Sequence, residues 1–173
     1  MSIFKDSAMI GFLVKEILEK YPNNQVGKTV VQKMAYFLTK TGVVDFDYSM
    51  YHYGPYSSEV SGELNFAEES GLLEINWKPN KGYFIEPKSD LNKFKNLLNE
   101  REMDAIRKTV EKYGEFNAVQ LSFISTALFL EERFNIESSR LVDVVHRLKP
   151  KYNLDCIEDT LRTSGVLDDS NSR

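Results

Sequence analysis

Cysteine is nearly absent from this chain of 173 residues. The one cysteine, Cys156, excludes an internal disulfide and a cysteine-rich metal site. The two histidines, His52 and His146, do not have the spacing of zinc ligands. We therefore predict no metal and no cofactor, and we expect Cys156 to be a buried, inert thiol.

Long hydrophobic runs are also missing. The most apolar stretch, residues 118–130, is interrupted by polar side chains and is far shorter than the roughly 20 residues of a membrane-spanning helix. The N-terminus lacks the basic segment and apolar core of an export signal. These features predict a cytoplasmic protein without membrane contact.

Positive charge is scarce in the first half of the chain. No arginine precedes Arg101, and residues 1–90 contain nine lysines against twelve acidic residues, within a total net charge of −4. Nucleic-acid binding depends largely on neutralising phosphates. The charge distribution therefore disfavours nucleic acid as the main partner.

Recognisable catalytic motifs are missing as well. The Gly27-Lys28-Thr29 segment is like the end of a phosphate-binding loop, but the earlier glycine of that loop is absent. The acidic pairs 68–69 and 131–132 point about 100° apart on a helix, which suits exposed faces better than acid–base catalysis. We predict no catalytic residue and no enzyme; an enzyme with an unrecognised site is the least favoured alternative.

The N-terminal half contains a pattern of helices followed by a hairpin. Apolar spacing predicts helices over residues 7–20, 28–41 and 58–70. Gly71 follows the third helix, where a left-handed residue is commonly needed. Strands are predicted over residues 72–77 and 82–86, around a turn with two lysines. This order of elements is typical of winged-helix domains.

From residue 88 onward the pattern predicts helices alone. Asn99 and Asn117 are suitable N-caps, and Gly114 and Pro150 are suitable ends. We predict an α+β, mainly α fold: a winged-helix-like lobe over residues 1–98, packed on a helical lobe over residues 99–173 with a frayed tail from residue 168. One compact domain is the alternative.

The most unusual stretch is YHYGPYSSEV, residues 51–60. We expect Gly54-Pro55 to form a rigid corner between an extended aromatic segment and the third helix, which Ser57 or Ser58 caps. If Tyr51 and Tyr53 enter the core, His52 faces outward, because alternate residues of an extended segment point to opposite sides. The candidate protein-binding residues are Tyr51, His52, Tyr56 and Ser57. A corner that serves packing alone is the competing interpretation.

The third helix offers an alternative function in DNA binding. If Val60, Leu64 and Ala67 are buried, the exposed face presents Ser58 and Asn65, which suit a phosphate and an adenine. Lys78 and Lys81 would be phosphate contacts of the wing. Four glutamates lie on or beside the same helix, and this negative charge counts against the alternative.

Two segments give the chain a resemblance to a known family. The segment VGKTVVQKMAYF, residues 26–37, resembles the K-x-x-L-Q-K-L-x-Y-F helix of Panacea-type proteins, and YHYGPYSSEV resembles their w-x-Y-G-P-V-x-x-x-V corner. Lys149-Pro150 is similar to a Lys-Pro pair near the C-terminus of relatives. Val31 and Tyr56 depart from the pattern, where many members have Leu and Val. The matching positions are Gln32, Lys33, Tyr36, Tyr53, Gly54, Pro55 and Val60.

The resemblance implies a non-catalytic binding module, because Panacea domains occur as antitoxins that neutralise toxins by direct binding. Our leading prediction is therefore a protein-binding module, with a toxin as the expected class of partner. A winged-helix DNA-binding regulator is the alternative.

Overall fold

A computed structural model of the protein describes residues 2–167. The tail predicted to be frayed, residues 168–173, lies outside the described residues. Within them the chain forms seven α-helices, one 3-10 helix and two antiparallel two-stranded hairpins: α1 (Lys5–Lys20), α2 (Lys28–Thr39), β1 (Ser49–Tyr51), β2 (Gly54–Tyr56), α3 (Ser58–Glu69), β3 (Leu73–Lys78), β4 (Gly82–Pro87), the 3-10 helix Ser89–Leu97, α4 (Glu100–Tyr113), α5 (Ala118–Phe134), α6 (Ser138–Leu148) and α7 (Leu154–Thr163). The predicted α+β, mainly α fold is confirmed.

Local signals in the sequence account for several helix boundaries. The side chains of Asn99 and Asn117 accept hydrogen bonds from the first turns of α4 and α5. Gln120 completes a capping box with Asn117, which satisfies backbone donors that the helix itself leaves free. The helix predicted after residue 88 is present as a 3-10 helix, with Leu91 buried beneath it.

The N-terminal half has the predicted order of three helices and a hairpin. Helix α1 packs against α3, α4 and β4. Strands β3 and β4 pair in register from Leu73 opposite Pro87 to Lys78 opposite Gly82. The amide of Ile85 donates to the carbonyl of Val26, 2.8 Å away, and so ties this hairpin to the segment before α2.

Helices α2 and α5 form the centre of the molecule. Every residue of α2 from Val30 to Leu38 is buried, and residues 121–127 of α5 are buried as well. A helix that is enclosed on all sides is normally apolar on all sides. Helix α2 nevertheless places Gln32 and Lys33 in this interior, so their polar groups need partners.

None of the helices in the described part of the chain is long and apolar enough to span a membrane.

Candidate functional site

The aromatic stretch forms a β-hairpin, which the sequence analysis did not predict. Strand β1 pairs with β2 so that Ser49 lies opposite Tyr56 and Tyr51 lies opposite Gly54. The chain therefore reverses at His52-Tyr53, and Gly54 and Pro55 are buried residues of the returning strand. The predicted rigid corner at Gly54-Pro55 was wrong in position, since the reversal occurs two residues earlier.

Gly54 is needed for contact with α5. Its φ is +106°, a region that side chains rarely adopt. A Cβ placed on Gly54 would lie 2.6 Å from Thr126 Oγ1 and 3.3 Å from Ser125 Oγ. Both the backbone conformation and the close approach to α5 therefore require glycine at this position.

Helix α2 holds the other side of strand β2. The side-chain amide of Gln32 donates to the carbonyl of Ser57 and accepts from its amide, both at 2.9 Å. Lys33 Nζ donates to the carbonyl of Pro55 at 2.8 Å. Three side-chain to backbone bonds and the contact of Gly54 with α5 thus fix the returning strand between the two central helices.

Four aromatic side chains stand on this fixed hairpin, and we call Tyr51, His52, Tyr53 and Tyr56 the aromatic cluster. Tyr51 and Tyr53 are 61% and 64% exposed. The ring of Tyr51 lies 4.7 Å from that of His52 and 5.6 Å from that of Tyr56. The condition that Tyr51 and Tyr53 enter the core is not met. His52 is also exposed, and Tyr56 is half-buried.

Ser57 is not a surface residue, so its assignment as a protein contact was wrong. Its side chain is buried and caps α3 by accepting from the amide of Val60 at 3.3 Å. Gln32 occupies the backbone groups of the same residue. The capping role proposed for Ser57 or Ser58 is therefore filled by Ser57, which is turned inward.

An open depression of about 330 Å³ lies beside the aromatic cluster. Tyr51 and His52 belong to both, so the cluster and the depression form one continuous surface. Leu148 and Lys149, at the end of α6, form the opposite side. The lining residues are Met50, Tyr51, His52, Gly54, Thr126, Leu148 and Lys149.

Two buried lysines lie at and behind this depression. Lys33 is 2% exposed and Lys149 is 7% exposed. Burial lowers the pKa of Lys33 from 10.5 to about 7, and the nearby charge of Lys149 lowers it further. Burial also lowers the pKa of Lys149. No ion pair in the described range includes either lysine.

The residues considered for DNA binding are all exposed. Ser58 and Asn65 lie on the outer side of α3, while Val60, Leu64 and Ala67 are buried as predicted. Lys78 and Lys81 flank the tip of the β3–β4 hairpin.

Acidic groups dominate the environment of α3. Burial raises the pKa of Glu63, and the charges of Asp6 and Glu59 raise it further. Burial is also the largest cause of the raised pKa of Asp6, to which Glu59 and Glu102 add. This mutual repulsion identifies a negative region along α1 and α3, which would repel phosphates.

A larger depression of about 670 Å³ lies at the start of α2 and includes Gly27, Lys28 and Thr29. The ammonium of Lys28 lies over the ring of Tyr83, 4.1 Å from its centre. This cation is therefore engaged with an aromatic face. The depression contains no buried charged side chain, in contrast to the one beside the aromatic cluster.

The groups considered for chemistry give no catalytic arrangement within residues 2–167. No group of three or more His, Cys, Asp or Glu side chains there is placed to hold a metal ion. Cys156 is exposed, so the prediction of a buried thiol was wrong. The buried face of α7 is formed by Ile157, Thr160 and Leu161, and position 156 lies about 100° away from Ile157.

The sequence analysis did not assign a role to Lys33, Thr126 or Lys149 in this surface. One signal was available for Lys33, which lies between the buried positions Val30, Met34 and Phe37. A lysine at such a position needs a buried partner or a function. No comparable signal pointed to Thr126 or Lys149, because their meeting with the hairpin depends on the tertiary structure.

Comparison with known proteins gives no family for this chain: no family model matches it, and no curated protein is significantly similar. The resemblance of residues 26–37 and 51–60 to Panacea-type proteins stays a prediction.

Proposed function

We propose that this protein is a non-catalytic protein-binding module whose contact surface is the aromatic cluster. The observation that carries the proposal is the exposure of Tyr51 and Tyr53, each more than 60%, on a hairpin that is fixed from both sides. Tyrosine is enriched at binding hot spots, where it supplies apolar area and a polar group at a small entropic cost.

The support of the hairpin strengthens this proposal. A partner that binds a preformed surface does not have to order it, so less of the interaction energy is lost. Gln32, Lys33 and Gly54 hold the backbone beneath the cluster while the rings remain free to contact a partner. Solvent-exposed rings on a rigid support favour intermolecular contact over internal packing.

The resemblance to Panacea-type antitoxins supplies the class of partner and the compartment. In this proposal the partner is a toxin protein, which the chain neutralises by direct contact in the cytoplasm. Binding by surface contact requires no catalytic group and no cofactor.

DNA binding through α3 and the β3–β4 hairpin is the second candidate. The exposure of Lys78, Lys81 and Asn65 beside one another in chain order favours it. The negative region formed with Asp6, Glu59 and Glu63 opposes it. We therefore rank it below protein binding.

The experiment uses the tagged full chain as bait for proteins encoded beside it, co-expressed one at a time. Tyr51→Ala and Tyr53→Ala should reduce the captured amount at unchanged bait level. Trp77→Ala is the matched control, because Trp77 is also 61% exposed but lies on the other hairpin. Equal loss in all three variants, or loss only in Trp77→Ala, would contradict the proposed surface.

A further inference from the structure

Lys149 presents unused hydrogen-bond donors to the depression beside the aromatic cluster. Its ammonium has three N–H groups. The structure gives Nζ a single contact, at 3.5 Å, with the carbonyl of His52. A lysine that is 7% exposed has little access to water. Its remaining donors therefore favour an acceptor that enters the depression.

Lys33 adds positive charge behind the same wall. Its only hydrogen bond in the described residues runs to the carbonyl of Pro55, and no carboxylate pairs with it there. Buried cations are normally paired with an anion, because desolvation of an unpaired charge is costly. Two buried amines that influence each other without an anion therefore form an incomplete charge arrangement.

Thr126 supplies a third unsatisfied group on the lining of the depression. Its hydroxyl is buried and has no hydrogen-bond partner in the described residues. By contrast, the hydroxyls of Thr39, Thr109 and Thr160 each donate to the carbonyl four residues earlier in their helices. A buried hydroxyl without a partner is uncommon, and it lies where an incoming polar group would be received.

We propose that the depression binds a carboxylate, and that its occupant is an acidic side chain of the protein partner. Lys149 holds the carboxylate, Lys33 supplies additional positive potential from behind, and Thr126 lies on the lining of the site. Met50, Leu148 and the ring of Tyr51 contact the aliphatic part of the side chain. The identity of the occupant rests on the proposed function, since Tyr51 and His52 line both the depression and the aromatic cluster.

A single carboxylate suits this site better than a phosphate. One ammonium faces the depression, while the second lies behind its wall and already donates to Pro55. Phosphate recognition usually employs several donors around three oxygens. The apolar side chains on the rim also match the methylene groups of a glutamate.

The experiment titrates the full-length protein with the α-amide of N-acetylglutamate at constant ionic strength. The matched probe is the corresponding glutamine compound, which has the same size without the charge. Lysine side-chain resonances of the wild-type protein report Lys149 directly, and backbone amides report residues 50–56. We expect saturable shifts at these positions, with affinity for the glutamate probe at least tenfold higher than for the glutamine probe.

Variants and a second anion complete the test. Lys149→Met should weaken binding of the glutamate probe at least tenfold, while Lys78→Met, at an exposed lysine of the other hairpin, should leave it unchanged. Equal binding of the two probes, or unchanged binding by a folded Lys149→Met protein, would overturn the proposal. Inorganic phosphate that binds tenfold more tightly than the glutamate probe would overturn the assignment to a carboxylate.

The outcomes also separate this inference from the proposed function. If the glutamate probe fails to bind while Tyr51→Ala still reduces partner capture, the carboxylate site is refuted and the protein-binding surface stands. If the probe binds at Lys149 while the aromatic variants capture the partner normally, the carboxylate site stands and the proposed function is refuted.

Discussion

Lys33→Met should change how the stability of the protein depends on pH. Lys33 is 2% exposed, and its pKa is lowered to about 7, whereas an unfolded lysine has a pKa near 10.5. Between these values the unfolded chain carries one more proton at this residue than the folded chain. The free energy of unfolding therefore rises with pH across this window. Methionine has a similar length and no titrating group.

The magnitude follows from the same two pKa values. Each pH unit in the window contributes about 1.4 kcal/mol, and the whole shift corresponds to at most about 5 kcal/mol. From pH 6 to pH 9, the stability of the wild type should rise relative to Lys33→Met by about 2–3 kcal/mol. Loss of the hydrogen bond to Pro55 adds an offset that does not depend on pH. Lys149 is present in both proteins, as are the other titrating groups.

Chemical denaturation at pH 6, 7.5 and 9 provides the measurement. Lys78→Met is the control, because this exposed lysine should give a difference that does not vary with pH. A wild-type advantage that stays constant within about 0.5 kcal/mol would mean that Lys33 keeps the same charge in the folded and unfolded chains. That result would refute the account of a buried amine with a lowered pKa.

Three further predictions concern the backbone supports and the alternative function. Gly54→Val should lower the free energy of unfolding by roughly 1–3 kcal/mol in thermal or chemical melts, because of its positive φ and the contact with α5; Gly62→Ala, in open space on α3, should be neutral or stabilising. Ser57→Ala should cost about 0.5–2 kcal/mol through loss of the cap on α3, measured in the same melts, and a loss below this range would contradict the capping role. In fluorescence anisotropy with duplex DNA we expect weak binding at most, and if a wing contact exists, replacing Lys78 and Lys81 with glutamate should abolish it and reduce the log–log salt slope by about 0.9 per phosphate contact.

The helices and the β3–β4 hairpin were predictable because short-range signals specify them. Asn117 starts α5 through its own side chain, and Gly71 follows α3 with a positive φ. The stripe of Val60, Leu64 and Ala67 also correctly gave the buried face of α3. These features depend on neighbours within one or two helical turns, which the sequence places close together by itself.

The β1–β2 hairpin was not predictable by the same means. Each strand has three residues, and aromatic side chains occur on both, so no alternation of polar and apolar residues marks them. The rule of alternating sides failed for Tyr51 and Tyr53 because the turn begins between them. Their exposure results from the reversal of the chain at His52-Tyr53.

The composition of the candidate site depends on contacts that are distant in sequence. Lys149 reaches the carbonyl of His52 from the end of α6, and Thr126 meets Gly54 from the middle of α5. Neither residue has a sequence neighbour that indicates this role. Cys156 was a different failure, since the stripe of Ile157 and Leu161 already placed it away from the buried face of α7.

The dissociation constant of the captured partner tests the central claim most directly. Calorimetric titration should compare the wild type with His52→Ala and Tyr56→Ala, after thermal melts establish that each variant is folded. We predict nearly unchanged melting temperatures and binding weakened by about 1–2 kcal/mol or more, as expected for residues at a hot spot. Wild-type affinity in both folded variants would contradict the assignment of the aromatic cluster as the binding surface.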